Sequence, residues 1–296
     1  MQTILITGAN GFVGHYLTQQ LINENYRVVA TGKGPGRFDI KNKNFLYETM
    51  DFTNEESVKA VFQQYKPAIV VHLGAMSKPD DCELNKESAF LTNVTGTLYC
   101  LQQAQSFKSF FIFLSSDFVF SGTKLNYKED DKPNPVNYYG QTKLLAEQEV
   151  KKYAGGWSIV RTILVYGHPK SGRQNILTNV ASALKKGEAL NIVDDQTRTP
   201  TYVEDLVSAI ATIVKKKSTG IFHISGEDIL TPYQMACAVA DYLHLDSKKI
   251  NKVTAGIFKE PAKRPPTTGF DLTKAKNELD YKPTSFKKGL QKTFED

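Results

Sequence analysis

Cysteine is scarce: Cys82, Cys100 and Cys237 are the three in 296 residues. They lie far apart, match no metal-ligand spacing and would leave one unpaired, which argues against a disulfide framework and gives no metal site. Long apolar runs are also missing. No stretch approaches the ~18 to 20 residues needed to cross a bilayer, and the chain opens on Thr3-Ile4-Leu5-Ile6-Thr7 with no charged region before it. Neither a membrane span nor a secretion signal is expected, so the chain reads as cytoplasmic. Internal repeats and low-complexity linkers are absent as well. Neither sign of charge dominates, with 37 Lys and Arg against 31 Asp and Glu and a net charge of +6. The lysines come in clusters at expected helix ends (Lys151-Lys152, Lys185-Lys186, Lys215-Lys216-Lys217) and lack an aromatic-interleaved basic stripe. They read as solvated surface, and no nucleic-acid partner is expected.

What is present is an ordinary globular composition, 41% hydrophobic and 23% charged, enough to bury a large core in one domain or two closely joined ones. Through the first 160 residues, short β-branched or aromatic runs alternate with longer helical patterns, the rhythm of a parallel sheet covered by helices on both faces. Strands are predicted near 3–7, 27–31, 45–49, 69–73, 110–115 and 157–161, and helices near 12–24, 54–65, 84–106 and 137–154. The expected fold is α/β, a doubly wound parallel sheet. Past Tyr166 the rhythm loosens: helices near 175–186 and 203–216, an extended Ala189–Val193, a strand Ile221–Ile224, then a helical and finally irregular tail. That region has too few strands for a sheet of its own. The expected division is a dinucleotide-binding domain over 1–166, with 195–225 returning to it, and a smaller substrate-binding lobe from 167–194 and 226–296.

The first strand runs into Gly8-Ala9-Asn10-Gly11-Phe12-Val13-Gly14 and then a helix, with glycines at three-residue intervals where the chain must turn tightly. Missing side chains let the backbone approach a pyrophosphate, present N–H donors at the positive helix end and pack helix on strand. The loop is therefore expected to hold a dinucleotide, which gives the fold its Rossmann character. At the end of the second strand an acidic side chain would accept the ribose hydroxyls of NAD, but no carboxylate occurs until Asp39, while Lys33 and Arg37 can pair a 2′-phosphate. NADP(H) is thus preferred over NAD(H), against the alternative of a basic surface loop. Asp51 and Phe52 can hold the adenine amine and ring face, or serve as a helix cap and core.

Ser115, Ser116 and Asp117 close the fifth strand, at the sheet edge where ligands of open α/β folds bind. Twenty-three residues after Ser116 stands Tyr139, and four further on Lys143, at the start of a helical stretch. Residues four apart on a helix differ by only about 40° in direction, so the two share a face, whereas Tyr138 points about 140° from the lysine. Tyr166 and Lys170 have the same spacing, but Gly167 and Pro169 intervene. A ketone reduced by hydride needs a proton on oxygen, and a phenol with a pKa near 10 serves only when a cation lies nearby. A charge about 4 Å away at an effective dielectric near 20 is worth roughly 4 kcal/mol, enough to bring Tyr139 into range. Ser116 can then hydrogen-bond the carbonyl oxygen and Lys143 can also hold the nicotinamide ribose.

With the Gly8–Gly14 loop, the Ser116, Tyr139 and Lys143 triad, and His72-Leu73-Gly74-Ala75 after the fourth strand, the chain resembles the extended short-chain dehydrogenase/reductases. Within them it is most similar to the dTDP-4-dehydrorhamnose reductases, through Ser115–Gly122, Asn137–Lys143, Val160-Arg161-Thr162, Val165-Tyr166-Gly167 and Asp195–Tyr202. The resemblance implies NADPH-dependent reduction of a 4-keto nucleotide sugar, dTDP-4-dehydro-L-rhamnose to dTDP-L-rhamnose, for polysaccharide biosynthesis. It also implies cofactor contacts at Leu73, Gly74 and Ala75 and substrate contacts at Ser116, Asp117, Tyr139, Asn175 and Arg264, the last equally readable as a surface residue. A homodimer is compatible with it. Two departures bear on substrate: Ser116 stands where these reductases commonly have Thr, and Leu164 where they have an aromatic. Dehydration is set aside, because Phe118 follows Asp117 where the related dehydratases have a glutamate. The nucleotide-sugar 4-epimerases, which retain NAD, and the dinucleotide-binding regulatory subunit of methionine adenosyltransferase share the resemblance as alternatives.

Overall fold

The computed structural model describes residues 2–170 and 174–295. Its centre is a seven-stranded parallel sheet that includes β1 (Thr3–Thr7), β2 (Arg27–Gly32), β3 (Phe45–Thr49), β4 (Ile69–His72) and β5 (Phe110–Ser116). The strand order is Gly220–Ile224, Trp157–Thr162, β5, β4, β1, β2, β3, so the direction of winding reverses between β1 and β4. That reversal opens a crevice at the C-terminal strand ends, the place where such sheets take ligands. Ile4, Leu5 and Ile6 of β1, like Val28, Val29 and Ala30 of β2, are wholly buried. Burial on both faces is why these strands read as continuous apolar runs and not as alternation.

Successive residues serve opposite faces. Ile4 and Ile6 pack with Leu17 of α1 (Phe12–Asn23) and Leu206 of the helix Val203–Lys216, while Leu5 packs on the other side with Phe62, Phe111 and Val150. The helix Val203–Lys216 buries Val203, Leu206, Val207, Ile210, Ile213 and Val214 along one stripe, with Glu204 and Asp205 in its first turn and Lys215 and Lys216 in its last, each sign at the favourable dipole end. A third core, around Tyr166, Leu177, Val180, Met235 and Phe286, lies beneath the later part of the chain.

Two expectations need correction. The helix predicted near 84–106 is four pieces: Pro79–Leu84, Lys86–Phe90, a π-helical turn Leu91–Thr95, and Gly96–Phe107. Asn85 breaks the first junction with a non-helical φ of −129° and ψ of 63°, and the wide turn carries Asn93 inward, where it accepts from the Met76 N–H at 2.8 Å and donates to the Met76 carbonyl at 3.1 Å. The region after Tyr166 also has more strand than expected. Leu190–Val193 pairs in parallel with Ile250–Val253, and Thr267–Phe270 lies between Thr197–Arg198 and Thr123–Tyr127. Leu190–Val193 falls within the extended piece expected at Ala189–Val193; the others are two to five residues long and pair across large sequence separations, so periodicity had nothing to register.

Two histidines inside this frame are buried and neutral. His72 joins its Nδ1 to Thr7 Oγ1 at 2.7 Å and its Nε2 to Thr97 Oγ1 at 3.1 Å; His223 lies between the Tyr127 carbonyl at 3.0 Å and Arg161 at 3.2 Å. Burial, then the charges of Lys143 and Arg161 respectively, holds each pKa at about 3. An unfolded histidine takes its proton near 6.5, so between about pH 6.5 and 3 the unfolded chain binds more protons and stability falls as pH falls. The slope approaches about 1.4 kcal/mol per pH unit for each histidine. Urea unfolding at pH 7, 6 and 5 should show a shallower loss in His223→Gln than in the parent protein, and an identical slope would remove His223 from the account.

Candidate active site

The site is built on the C-terminal ends of β1, β4 and β5. Gly8 follows β1 with a φ of +67°, a left-handed conformation that favours glycine, and a Cβ there would meet the Gly74 backbone at 2.8 Å. Gly14, one turn into α1, lies so close that a Cβ would sit 2.5 Å from the Gly8 carbonyl oxygen. Gly11 is the N-cap of α1 and offers no side-chain cap, and the first turn carries no acidic residue. The first N–H groups of α1 therefore face the crevice without an anionic side chain of their own, the condition for a phosphate at a helix N-terminus. On the expectation that this loop holds a dinucleotide, Gly8→Ala should raise the dissociation constant for NADPH at least tenfold and lower Tm, since the added methyl must displace backbone and not a flexible side chain. Fluorescence titration with NADPH measures the first effect, and unchanged binding would place the pyrophosphate elsewhere.

Asn10 ties this loop to the β2 end. Its amide donates to the Pro35 carbonyl at 3.0 Å and to Tyr47 Oη at 2.9 Å, and its oxygen accepts from the Arg37 N–H at 3.0 Å. Arg37 lines the crevice. Lys33 and Asp51, expected at opposite ends of the adenosine, meet each other at 2.9 Å, with Lys33 80% exposed. Burial tends to raise the Asp51 pKa, but hydrogen bonds from Thr53 and Lys33 outweigh it and hold the carboxyl below its usual value. Phe52 packs so tightly that a Cβ at Gly74 would lie 2.4 Å from its ring. Gly8, Asn10 to Gly14, Arg37, Phe52 and Leu73 to Ala75 all line one cleft of about 1080 Å³, and Ser116, Asp117, Tyr139, Lys143, Asn175 and Arg264 line it too.

The helix Tyr138–Lys152 brings Tyr139 and Lys143 onto that cleft. Asn137 caps it by accepting from the Gly140 N–H at 2.8 Å. Tyr139 is buried edge-on against Phe118, with ring centroids 5.6 Å apart. Lys143 is buried, its Nζ 4.0 Å from the centre of the Phe113 ring. Burial pushes its pKa down to about 7, with Glu147 and Cys82 pulling the other way. Ser116 Oγ donates to Asp117 at 3.0 Å and accepts from the Phe118 N–H at 3.3 Å. Asp117 itself also accepts from Thr268 at 2.6 Å; burial raises its pKa, opposed by Arg198 and these hydroxyls. Tyr138 lies apart, its N–H on Glu83, and Tyr166 packs in the core against Tyr202 and Phe286 while Lys170 stands over Tyr16.

Behind the triad a second layer keys helix to strand. Glu147, four residues past Lys143, is buried and accepts from Ser115 at 2.6 Å and from both Nε and Nη2 of Arg161 at 2.9 and 2.7 Å. Asn93 of the π-turn donates to Thr142 at 2.9 Å. Leu164 lines the cleft with a φ of +37°, an unfavourable conformation for a branched side chain, held where Thr201 accepts from the Ile163 N–H.

Two of the five expected substrate contacts, Asn175 and Arg264, are engaged within the protein. Asn175 caps the helix Ile176–Lys185 through Leu177 and Thr178 and donates to the Gly167 carbonyl at 2.6 Å. Arg264 makes a forked pair with Asp80 at 2.7 and 2.5 Å, so the guanidinium expected to meet substrate already holds a carboxylate. Sequence reading missed Asp80, which lies 184 positions from its partner. It also missed Arg198, which lines the cleft and donates to the Thr197, Pro265 and Pro266 carbonyls at 2.8, 2.5 and 3.1 Å. A signal for Arg198 existed in the Asp195–Tyr202 string. Among the described residues no cluster of potential ligands could hold a metal ion, and no described helix is long and apolar enough to cross a membrane.

Fold and cleft define an α/β protein of the extended short-chain dehydrogenase/reductase superfamily. The RmlD substrate binding domain family model matches residues 1–296, and the chain belongs to that family. A solved relative is dTDP-4-dehydrorhamnose reductase from Bacillus anthracis str. Ames in complex with NADP, 25% identical with a TM-score of 0.85 over 99% of each chain. Methionine adenosyltransferase 2 subunit beta of Xenopus laevis is 30% identical over 299 residues, 98% of this chain and 86% of that one. Spore coat polysaccharide biosynthesis protein SpsK of Bacillus subtilis (strain 168) is 30% identical over 255 residues, 86% and 84% of the two chains.

Proposed function

We propose that the protein is a cytoplasmic NADPH-dependent reductase of a 4-keto nucleotide sugar, converting dTDP-4-dehydro-L-rhamnose to dTDP-L-rhamnose. The observation that carries the reading is convergence: Ser116, Tyr139 and Lys143 line the same cleft as the Gly8–Gly14 loop. The residues fit the cofactor, since the α1 N-terminus lacks a side-chain cap and the glycines let the loop pack closely on α1 and the Gly74 backbone, which leaves its own backbone lining the cleft. Arg37 and Lys33 favour NADPH by pairing its 2′-phosphate, with Lys33 leaving Asp51 to do so. Bound NADPH supplies the hydride. Tyr139 Oη gives the ketone oxygen its proton, Ser116 turns its hydroxyl proton from Asp117 to that oxygen, and the Lys143 ammonium steadies the phenolate that Tyr139 becomes.

Lys143 carries its charge below about pH 7. For the free enzyme, kcat/KM in the reducing direction is therefore expected to fall as pH rises through about 7; a profile that climbs there would contradict this role. Two other readings share the residues. An epimerase must keep its cofactor, so NAD+ that stays bound through gel filtration, with interconversion of 4-epimers and no net NADPH consumption, would overturn the reductase. The relationship to methionine adenosyltransferase 2 subunit beta favours a non-catalytic binding subunit as the second reading. Its signature would be NADPH binding without turnover of any nucleotide-sugar ketone.

A further inference from the structure

Residues 262–266 form a strap along the cleft, held from several sides. Asp80 accepts from the Ala262 N–H at 3.1 Å, Asn137 donates to the Lys263 carbonyl at 2.6 Å, and Arg198 holds the Pro265 and Pro266 carbonyls. Arg264 projects from this strap, lines the cleft, and has a side chain only 16% exposed. It lies near enough to Arg198 for the two charges to repel. A half-buried guanidinium beside another cation needs an anion, and Asp80 supplies it through a forked pair, with Glu260 a more distant 3.4 Å away.

The geometry points to Asp80 as an internal stand-in for the substrate's phosphate: Arg264 waits on Asp80 and exchanges that carboxylate for a diphosphate oxygen pair when the sugar nucleotide enters. This rests on the substrate class proposed above. The forked contact that Arg264 makes with a carboxylate is the one it can make with two phosphate oxygens. Asp80 is a third exposed, so water can take over its charge and the existing pair is cheap to break. Arg198, by contrast, gives both Nη groups to internal oxygens, those of Thr197 and Gln196 and the Pro265 and Pro266 carbonyls of the strap, and so positions it. Asp80 thus sets a threshold. An anion must offer more charge than one carboxylate to displace it, which selects a nucleoside diphosphate group over a free sugar or a singly charged acid.

Asp80→Asn removes the charge yet keeps an oxygen for the Ala262 N–H, so the strap should stay in place. Calorimetric titration with dTDP is expected to show affinity about tenfold tighter in Asp80→Asn, with NADPH affinity near that of the parent. In an Arg264→Gln background the same change should give no gain, since the competition has no object. Equal or weaker dTDP affinity in Asp80→Asn, or a gain that persists without Arg264, overturns the exchange and leaves the substrate class standing. Failure of both parent and variant to bind dTDP or UDP while binding NADPH would instead overturn the substrate class.

Discussion

Tyr139→Phe should bind NADPH as the parent does and lose turnover by about 10²- to 10⁴-fold, the range a single positioned proton donor supplies. The phenyl ring keeps the edge-on contact with Phe118, so the fold and the helix cap at Asn137 are untouched. What disappears is one hydroxyl at the cleft. Because the ketone oxygen gains negative charge only as hydride arrives, the loss should fall on kcat and leave KM nearly unchanged. Stopped-flow measurement of the NADPH absorbance separates the two. A Phe variant within threefold of the parent would mean that another donor reaches the oxygen, and would remove Tyr139 from the chemistry.

The second large effect is on stability. Arg161→Met should cost about 3–5 kcal/mol, because Glu147 is left charged and unpaired in a buried site. For a domain of this size that corresponds to a fall in Tm of roughly 6–20 °C. Four groups depend on that arginine: both Glu147 oxygens, the Ser115 hydroxyl that shares one of them, and neutral His223. Removing both charges in Arg161→Met with Glu147→Leu should recover much of the loss, as a pair of apolar side chains does not need the compensation that a lone carboxylate does. A single mutant as stable as the parent would show that the pair does not key the Tyr139 helix to the strand Trp157–Thr162.

The parts of the molecule legible in the sequence are those encoded within a few residues. The Gly8–Gly14 spacing, the Tyr139 and Lys143 pair and the apolar strands each express a local rule, a turn, a helical face or a buried run, and the structure brings all of them to one crevice. The π-turn at Leu91–Thr95 was not legible, because widening a helix by one residue leaves no compositional trace. Nor were the partnerships that close the cleft. Lys33 with Asp51, Arg264 with Asp80 and Arg198 with the 265–266 carbonyls all join residues brought together only by the tertiary fold. In two of these pairs a side chain read as offering itself to a ligand proves to have an internal partner, a fact that spacing cannot report.

The most direct test of the central claim is a stoichiometry. Parent protein, NADPH and enzymatically prepared dTDP-4-dehydro-L-rhamnose are mixed, absorbance of the reduced cofactor is followed to completion, and the sugar nucleotide is identified by mass and NMR. The account predicts one NADPH consumed for each dTDP-L-rhamnose formed. NADPH that binds but is never consumed, with the keto sugar recovered intact, would contradict it.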